Sequence, residues 1–126
     1  MRVALLVGFS GAIGAILRVS IGEVEFGFGD FPAATFAVNM VGTFFLCFLS
    51  AGFIQRLWVN HELQTALTTG FLGSFTTFSA FSMETVSLFQ NGAILTALLY
   101  VLSSIFGGIL FGNIGMNLGR KAGREE

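Results

Sequence analysis

An uncharged apolar stretch at residues 33–54 strongly limits how this chain can fold. Its 22 residues include no Asp, Glu, Lys or Arg. An α-helix rises about 1.5 Å per residue, so about 20 apolar residues cross the hydrocarbon core of a bilayer. Lipid offers the backbone no hydrogen bonds, and a single apolar segment satisfies its own backbone groups only as a helix. This stretch therefore predicts a membrane-spanning helix.

Three further apolar stretches extend this prediction to four transmembrane helices. They comprise residues 3–21, 63–89 and 93–118, and the only charged residues in them are Arg18 and Glu84. With 54% hydrophobic and 10% charged residues, the chain predicts a single all-α integral membrane domain covering residues 1–126. The lipid bilayer is its predicted surrounding. The net charge of −1 gives no indication of nucleic acid as a partner.

A run of unusual composition interrupts the third stretch. Residues 70–84 read GFLGSFTTFSAFSME, and the phenylalanines recur at intervals of four, three and three residues, which places them on one helical face. Glycine and hydroxyl side chains in the same run weaken a helix. We predict that the third helix breaks at residues 73–77 and starts again at Phe78. Such a break is tolerated in a membrane where protein or a water-filled cavity surrounds it, so it indicates an ion or substrate site.

Uncharged polar side chains recur on the neighbouring helices. Thr35 and Asn39 in the second helix are four residues apart, as are Tyr100 and Ser104 in the fourth, so each pair shares one helical face. The third helix contributes further hydroxyls beside its break. A mid-membrane amide such as Asn39 either hydrogen-bonds a neighbouring helix or lines a polar pathway.

Two charged residues lie within the predicted helices, and each has two interpretations. Arg18, in the last turn of the first helix, either extends toward the lipid headgroups or lies at the mouth of an anion pathway. Glu84 is either a functional intramembrane carboxylate or a residue close enough to its helix end to reach water. No nucleophile and base pair, metal cluster or phosphate-binding loop is recognisable in the sequence, so we predict that the protein is not an enzyme.

The phenylalanines Phe78 and Phe81 follow the predicted break directly. Core packing is the ordinary role of such a pair. A phenyl ring also has an electropositive edge, so rings turned edge-on can solvate an anion without binding it as tightly as a lysine would. Weak coordination lets an ion leave as well as enter. Carbonyl groups freed at the break have the opposite polarity and suit a cation.

The distribution of basic residues predicts the orientation in the membrane. With four spans, Arg18 lies alone on one side, and five cations lie on the side of the termini. The positive-inside rule then places both termini in the cytoplasm. The five cations are Arg2, Arg56, Arg120, Lys121 and Arg124.

Three segments resemble a known family. They are GAIGAILR at residues 11–18, TFAVNMVG at 35–42 and GFLGSFTTFSAFSME at 70–84. In these segments, and in its length and four-helix layout, the chain resembles the Fluc (CrcB) fluoride channels. The resemblance implies an antiparallel, dual-topology dimer in the plasma membrane, whose two pores export fluoride passively and very selectively.

The resemblance also implies roles for individual residues. Phe78 and Phe81 would contact fluoride, and Asn39 would line the pore. Arg18 would lie in the vestibule. A polar track beside the rings would consist of Thr77, Ser79, Glu84, Tyr100 and Ser104.

A structural sodium ion at the dimer interface is a further implication of the resemblance. The backbone carbonyls of Gly73 and Thr76 would bind it. Ala80 stands where the family usually has threonine, which removes one hydroxyl from that face. Two kinds of dimer are open: a homodimer, or, given the excess of cations on one side, a heterodimer with an oppositely oriented homologue.

Two functions of other classes compete with the fluoride channel. A small four-span drug exporter driven by protons requires a titratable carboxylate deep in the membrane, preferably in the first helix, and the first stretch contains none. A structural subunit of a larger membrane complex would account for glycine-rich packing faces but leaves the polar stripes without a task. The run at residues 70–84 therefore favours the channel.

Overall fold

The computed structural model of the chain describes residues 1–24, 27, 29–54 and 60–124. Arg56, one of the cations used to predict the orientation, lies outside them. Every regular element in the described ranges is helical, as predicted. These helices are, in chain order, α1 (Arg2–Gly22), α2 (Ala33–Phe53), α3 (residues 61–75), α4 (Phe78–Gln90) and α5 (Ile94–Ala122).

Three of these helices, α1, α2 and α5, are long and apolar enough to cross a membrane. Each has at least 21 residues, which exceeds the length needed for the hydrocarbon core. The last turn of α2, Leu49–Phe53, is π-helical and contains Gly52 with φ of 135°, a backbone conformation that glycine adopts readily. The prediction of an all-α chain with membrane-spanning helices is thus confirmed at this level.

The predicted third span corresponds to two shorter helices, α3 and α4. The first consists of the α-helical turn His61–Thr65, the π-helical segment Ala66–Leu72 and a final turn, Gly73–Phe75. The second has 13 residues. Between them, Thr76 (φ −74°, ψ 155°) and Thr77 (φ −147°, ψ 127°) have extended backbone. Neither helix is long enough to cross a bilayer by itself, so a fourth crossing built from both remains a prediction.

Glycines set how closely the helices approach. Gly14 of α1 lies so close to the Phe71 carbonyl of α3 that a Cβ there would collide with it. Gly115 of α5 lies equally close to the Phe44 carbonyl of α2. Helices in lipid associate through such small-residue contacts, which let backbones come together. The chain therefore forms two tightly packed pairs, α1 with α3 and α2 with α5.

The described core is small and centred on Tyr100. Tyr100 and Ala97 are completely buried, and Leu88 packs beside them. By contrast, large apolar side chains cover the outer surface, among them Phe9 and Phe106. An exposed apolar surface of this extent fits a chain surrounded by lipid or by a partner.

Candidate functional site

The side chain of Asn39 forms hydrogen bonds with the backbone at the break between α3 and α4. The Asn39 Nδ2 donates to the Thr77 carbonyl at 2.9 Å, and the Thr77 amide donates to Asn39 Oδ1 at 2.8 Å. In a continuous helix, the Thr77 amide would instead bond to the carbonyl four residues earlier. Asn39 thus replaces a helical hydrogen bond and joins α2 to the break, which corresponds to the first of its two interpretations.

Side-chain oxygens and a guanidinium satisfy the helix ends on both sides of the break. The Thr77 hydroxyl accepts from the Ala80 amide at 3.2 Å and so caps the start of α4. Ser79, whose side chain is exposed, lies 3.2 Å from the same hydroxyl. Across the break, the Arg18 Nε donates to the Ser74 carbonyl at 3.2 Å. Arg18 therefore stabilises the carboxyl end of α3, where a cation is favoured.

Glu84 is held by one hydroxyl from each neighbouring helix. Thr35 Oγ1 donates to Glu84 Oε1 at 2.7 Å, and the Tyr100 hydroxyl donates to Glu84 Oε2 at 2.7 Å. Thr35 is 8% exposed and Tyr100 is completely buried. Hydrogen bonds to a carboxylate are the stronger kind, so this arrangement ties α4 to α2 and α5 at one point.

Two cavities reach Glu84 from the loop end of the helices. One, of about 460 Å³, has Gly27, Gly29 and Thr35 among its lining residues. The other, of about 280 Å³, is lined by Asp30 and Asn91. Glu84 is thus partly buried among hydroxyls yet adjoins open space on two sides. Both interpretations of Glu84, a functional intramembrane carboxylate and a residue close enough to its helix end to reach water, stay predictions.

A third cavity, which we call the phenylalanine cleft, adjoins the break and is lined by described residues of α2, α4 and α5. It has a volume of about 370 Å³. Its described lining residues are all uncharged: Asn39, Met40, Thr43, Leu46, Thr76, Thr77, Phe78, Phe81, Ser104, Ile105 and Gly108. The cleft is therefore a mostly apolar space with a few amide and hydroxyl groups, a composition typical of small-ligand sites.

The two phenylalanines of the cleft differ in their packing. Phe78 is 79% exposed, whereas Phe81 is partly buried against Tyr100, with ring centroids 5.0 Å apart. The Phe78 and Phe81 centroids are 5.8 Å apart and the rings are inclined by 38°. Phe81 thus connects the cleft to the aromatic core, and Phe78 projects from the protein surface.

The structure brings most of the predicted site residues into two adjacent groups. The phenylalanine cleft contains Asn39, Thr77, Phe78, Phe81 and Ser104. Glu84 and Tyr100 form the second group, next to Phe81. Arg18 lies apart from both, on the side of α1.

Three partners had no role assigned from the sequence: Thr35 as a donor to Glu84, Ser74 as the acceptor for Arg18, and Thr43 in the cleft. Thr35 and Thr43 share the stripe of Asn39, so the four-residue spacing was a usable signal for them. Ser74 accepts through its backbone, which leaves no trace in the side-chain pattern.

Freed backbone oxygens at the break suit a cation. The amide that would bond the Gly73 carbonyl is that of Thr77, and it donates to Asn39. The amide that would bond the Thr76 carbonyl is that of Ala80, and it donates to the Thr77 hydroxyl. The described residues include no group of three or more His, Cys, Asp or Glu. The donor set at the break therefore consists of carbonyl oxygens, which fits an alkali cation such as sodium.

Comparison with known proteins points to one family. The sequence model described as "CrcB-like protein, Camphor Resistance (CrcB)" matches residues 5–116. The fluoride-specific ion channel FluC 2 of Listeria monocytogenes is 44% identical over 117 residues, which cover 93% of this chain and 90% of that protein. FluC 1 of Desulfitobacterium hafniense is 42% identical over 108 residues, with 86% and 95% covered. FluC of Oceanobacillus iheyensis is 40% identical over 126 residues, with 100% and 98% covered.

Proposed function

This chain belongs to the CrcB family, and from that premise we propose that it is a passive, highly selective fluoride channel that exports fluoride from the cytoplasm. It is an ion channel and not an enzyme, and it is a multi-pass protein of the plasma membrane. The observation that carries the proposal is the phenylalanine cleft, in which two aromatic rings and several neutral donors adjoin the break.

The chemistry of the cleft supports an anion that binds weakly and moves on. A fluoride ion between Phe78 and Phe81 would meet the positive edges of their rings. The amino end of α4 begins at Phe78, so the positive end of its dipole lies at the same place. None of the described lining residues carries a full positive charge that would trap the ion. Asn39 and Ser104 supply polar groups beside the rings.

From the cleft, the proposed route continues along Glu84 to the loop end. Phe81 contacts Tyr100, whose hydroxyl donates to Glu84, and Glu84 adjoins both loop-end cavities. Fluoride is a strong hydrogen-bond acceptor, so it would compete with the carboxylate for the hydroxyls of Tyr100 and Thr35. In this proposal these hydroxyls pass the ion toward water, and Thr77 and Ser79 begin the same polar track.

The fourth crossing belongs to the same proposal. The segments α3 and α4 would cross the bilayer as one discontinuous helix. The side chains of Asn39, Thr77 and Arg18 bond part of the backbone at the break, and the proposed cation would bond the freed carbonyls. With four crossings, the basic carboxyl end, Arg120 to Arg124, lies on the side of the amino terminus. The positive-inside rule places this side in the cytoplasm for a chain with a single orientation, and in an antiparallel homodimer one of the two copies would have the opposite orientation.

A dimer with two pores and a structural sodium ion completes the proposal. Gly73 is exposed next to an apolar groove of about 360 Å³, lined in part by Phe45, Phe71 and Phe75. A second chain packed antiparallel on this side would cover the groove and bring its own Gly73 and Thr76 carbonyls to the same point. A sodium ion shared by the four carbonyls would then stabilise the interface. The second chain would be a copy of this one or an oppositely oriented homologue.

Ion flux from proteoliposomes that contain only this chain tests the function. We expect fluoride to leave passively, as measured by a fluoride electrode, and chloride to be retained in the parallel assay. Replacing sodium by a large organic cation during purification should reduce the flux if the cation is structural. Chloride efflux at a comparable rate would overturn the proposed selectivity. Fluoride efflux that occurs only after addition of an oppositely oriented homologue would indicate a heterodimer instead of a homodimer.

A further inference from the structure

Two side chains of α1 donate to backbone carbonyls of α3. The Ser10 hydroxyl lies 2.7 Å from the Ala66 carbonyl and 3.1 Å from the Val7 carbonyl of its own helix, so the shorter hydrogen bond goes to Ala66. Arg18 Nε donates to the Ser74 carbonyl at 3.2 Å. Both pairs that join α1 to α3 are separated by 56 positions in the sequence. The two helices therefore run parallel with a constant offset, and the two hydrogen bonds hold α3 at points eight residues apart.

Small residues make this contact possible. A Cβ on Gly70 would collide with Ser10 Oγ and approach the Val7 carbonyl at 2.8 Å. A Cβ on Gly11 would lie 3.0 Å from the Ser74 hydroxyl. Because the backbones approach this closely, a short side chain such as Ser10 reaches a main-chain oxygen of the neighbouring helix. Side chains of ordinary size at these glycines would move both carbonyls out of reach.

The segment between the two hydrogen bonds is π-helical. It comprises Ala66–Leu72, and the Gly73 amide at its end bonds to the Thr68 carbonyl, five residues earlier. A π-helical segment contains an extra residue relative to an α-helix; such segments are rare and are frequently found at functional sites. One residue corresponds to a rotation of about 100° around the helix axis. The π-helical geometry therefore decides the side of α3 on which the carbonyls of residues 73–76 lie.

We propose that Ser10 and Arg18 are positioning residues that keep α3 in its π-helical register and thereby keep the Gly73 and Thr76 carbonyls on the face where the cation binds. The inference rests on the proposed cation site. Ser10 supplies a donor to the carbonyl of Ala66, the first residue of the π-helical segment. Arg18 donates to the Ser74 carbonyl in the last turn of α3, just before the break. Neither side chain touches the cation itself.

Hydrogen exchange of the purified protein tests this inference without relying on transport. We expect Ser10→Ala to speed amide exchange in residues 66–77 about twofold to tenfold, the range for the loss of one hydrogen bond, and to leave α5 unchanged. The matched control is Ser103→Ala, because the Ser103 hydroxyl donates to the Tyr100 carbonyl of its own helix. The control should leave exchange in residues 66–77 at the wild-type rate.

A pair of Arg18 variants separates hydrogen bonding from charge. Arg18→Gln removes the charge but places an amide nitrogen at the chain position of Nε, so exchange in residues 66–77 should stay close to wild type. Arg18→Met removes the donor as well and should speed exchange as Ser10→Ala does. If both variants speed exchange equally, the charge and not the hydrogen bond holds α3, and the inference fails for Arg18.

The sodium dependence of fluoride flux supplies the second measurement. Ser10→Ala and Arg18→Met should raise the sodium concentration for half-maximal flux, whereas Ser103→Ala should not. Wild-type exchange rates and an unshifted sodium midpoint in Ser10→Ala and Arg18→Met would overturn the inference. Wild-type flux that is independent of sodium would instead overturn the proposed cation site, and the exchange rates would still decide whether α1 holds the π-helical register.

Discussion

The two helices that meet at the break, α3 and α4, are held in different ways. Helix α3 contacts α1 through glycines and offers its backbone carbonyls to the side chains of Ser10 and Arg18. Helix α4 contacts α2 and α5 and is held there through its own side chain, Glu84. Asn39 bonds the junction between the two.

This difference indicates that α3 positions the break, whereas α4 would contact fluoride. A contact made by backbone atoms and glycines is rigid and leaves no room for an ion, since a single Cβ would disrupt it. A contact made by hydroxyls, a carboxylate and aromatic rings leaves three cavities beside Asn39 and Glu84. We infer that α3 places the break and that α4, with the side chains around it, provides the surface along which fluoride moves.

Asn39→Ala should have the largest effect, because it removes the two hydrogen bonds that join α2 to the break between α3 and α4. It leaves the amide and the carbonyl of Thr77 without their partners, at a cost of about 1–3 kcal/mol for each unsatisfied group. We expect a lower unfolding temperature in detergent and little fluoride flux. The control is Asn113→Ala, since the Asn113 amide donates to the Ile109 carbonyl of its own helix. Equal stability of the two variants would contradict the structural role of Asn39.

Gly14→Ala tests the close contact between α1 and α3. Its Cβ would collide with the Phe71 carbonyl, which belongs to the backbone and cannot rotate away, so we expect a loss of about 1–3 kcal/mol in stability. Size-exclusion chromatography and thermal unfolding measure the effect. Gly8→Ala on the same helix is the matched control, because a Cβ there meets nothing within 4 Å. If Gly8→Ala lost as much stability, the close approach at Gly14 would not be the cause.

Phe81→Ile tests whether α4 contacts fluoride through the Phe81 ring. The substitution keeps an apolar side chain but removes the ring edge, and we expect fluoride efflux to slow about tenfold, equivalent to about 1.4 kcal/mol in the barrier, while the protein stays folded. Phe106→Ile on α5 serves as control, because its ring is 67% exposed on the outer surface. Unchanged efflux in Phe81→Ile would mean that the ring only packs against Tyr100.

Glu84→Gln should have the smallest effect of the four. Glutamine keeps the shape of the side chain but can accept from only one of Thr35 and Tyr100 in the same geometry, which costs about 0.5–1.5 kcal/mol. A passive channel should keep part of its fluoride flux without a proton gradient. A proton-coupled exporter would lose transport altogether, so complete loss in a folded variant would favour that function.

The membrane fold was largely predictable from the sequence. Long apolar stretches predicted the helices now seen as α1, α2 and α5, because a hydrocarbon environment permits few alternatives. The composition of residues 70–84 pointed to an irregular backbone, and Thr76 and Thr77 are extended there. The π-helical segment Ala66–Leu72 was not anticipated, since its residues carry no local signal for it; its first carbonyl accepts from Ser10 of α1, a residue far away in the sequence.

The sequence by itself determined which segments are helical, which residues share a face and where the third stretch is weakest as a helix. Local spacing and hydropathy are sufficient for these properties. Only the tertiary structure decided that Asn39 bonds the Thr77 backbone, that Arg18 turns to Ser74, and that Thr35 and Tyr100 share Glu84. Periodicity specifies the face of a helix, but a hydrogen bond between helices also requires their relative depth and rotation, which packing sets through glycine contacts far away in the sequence.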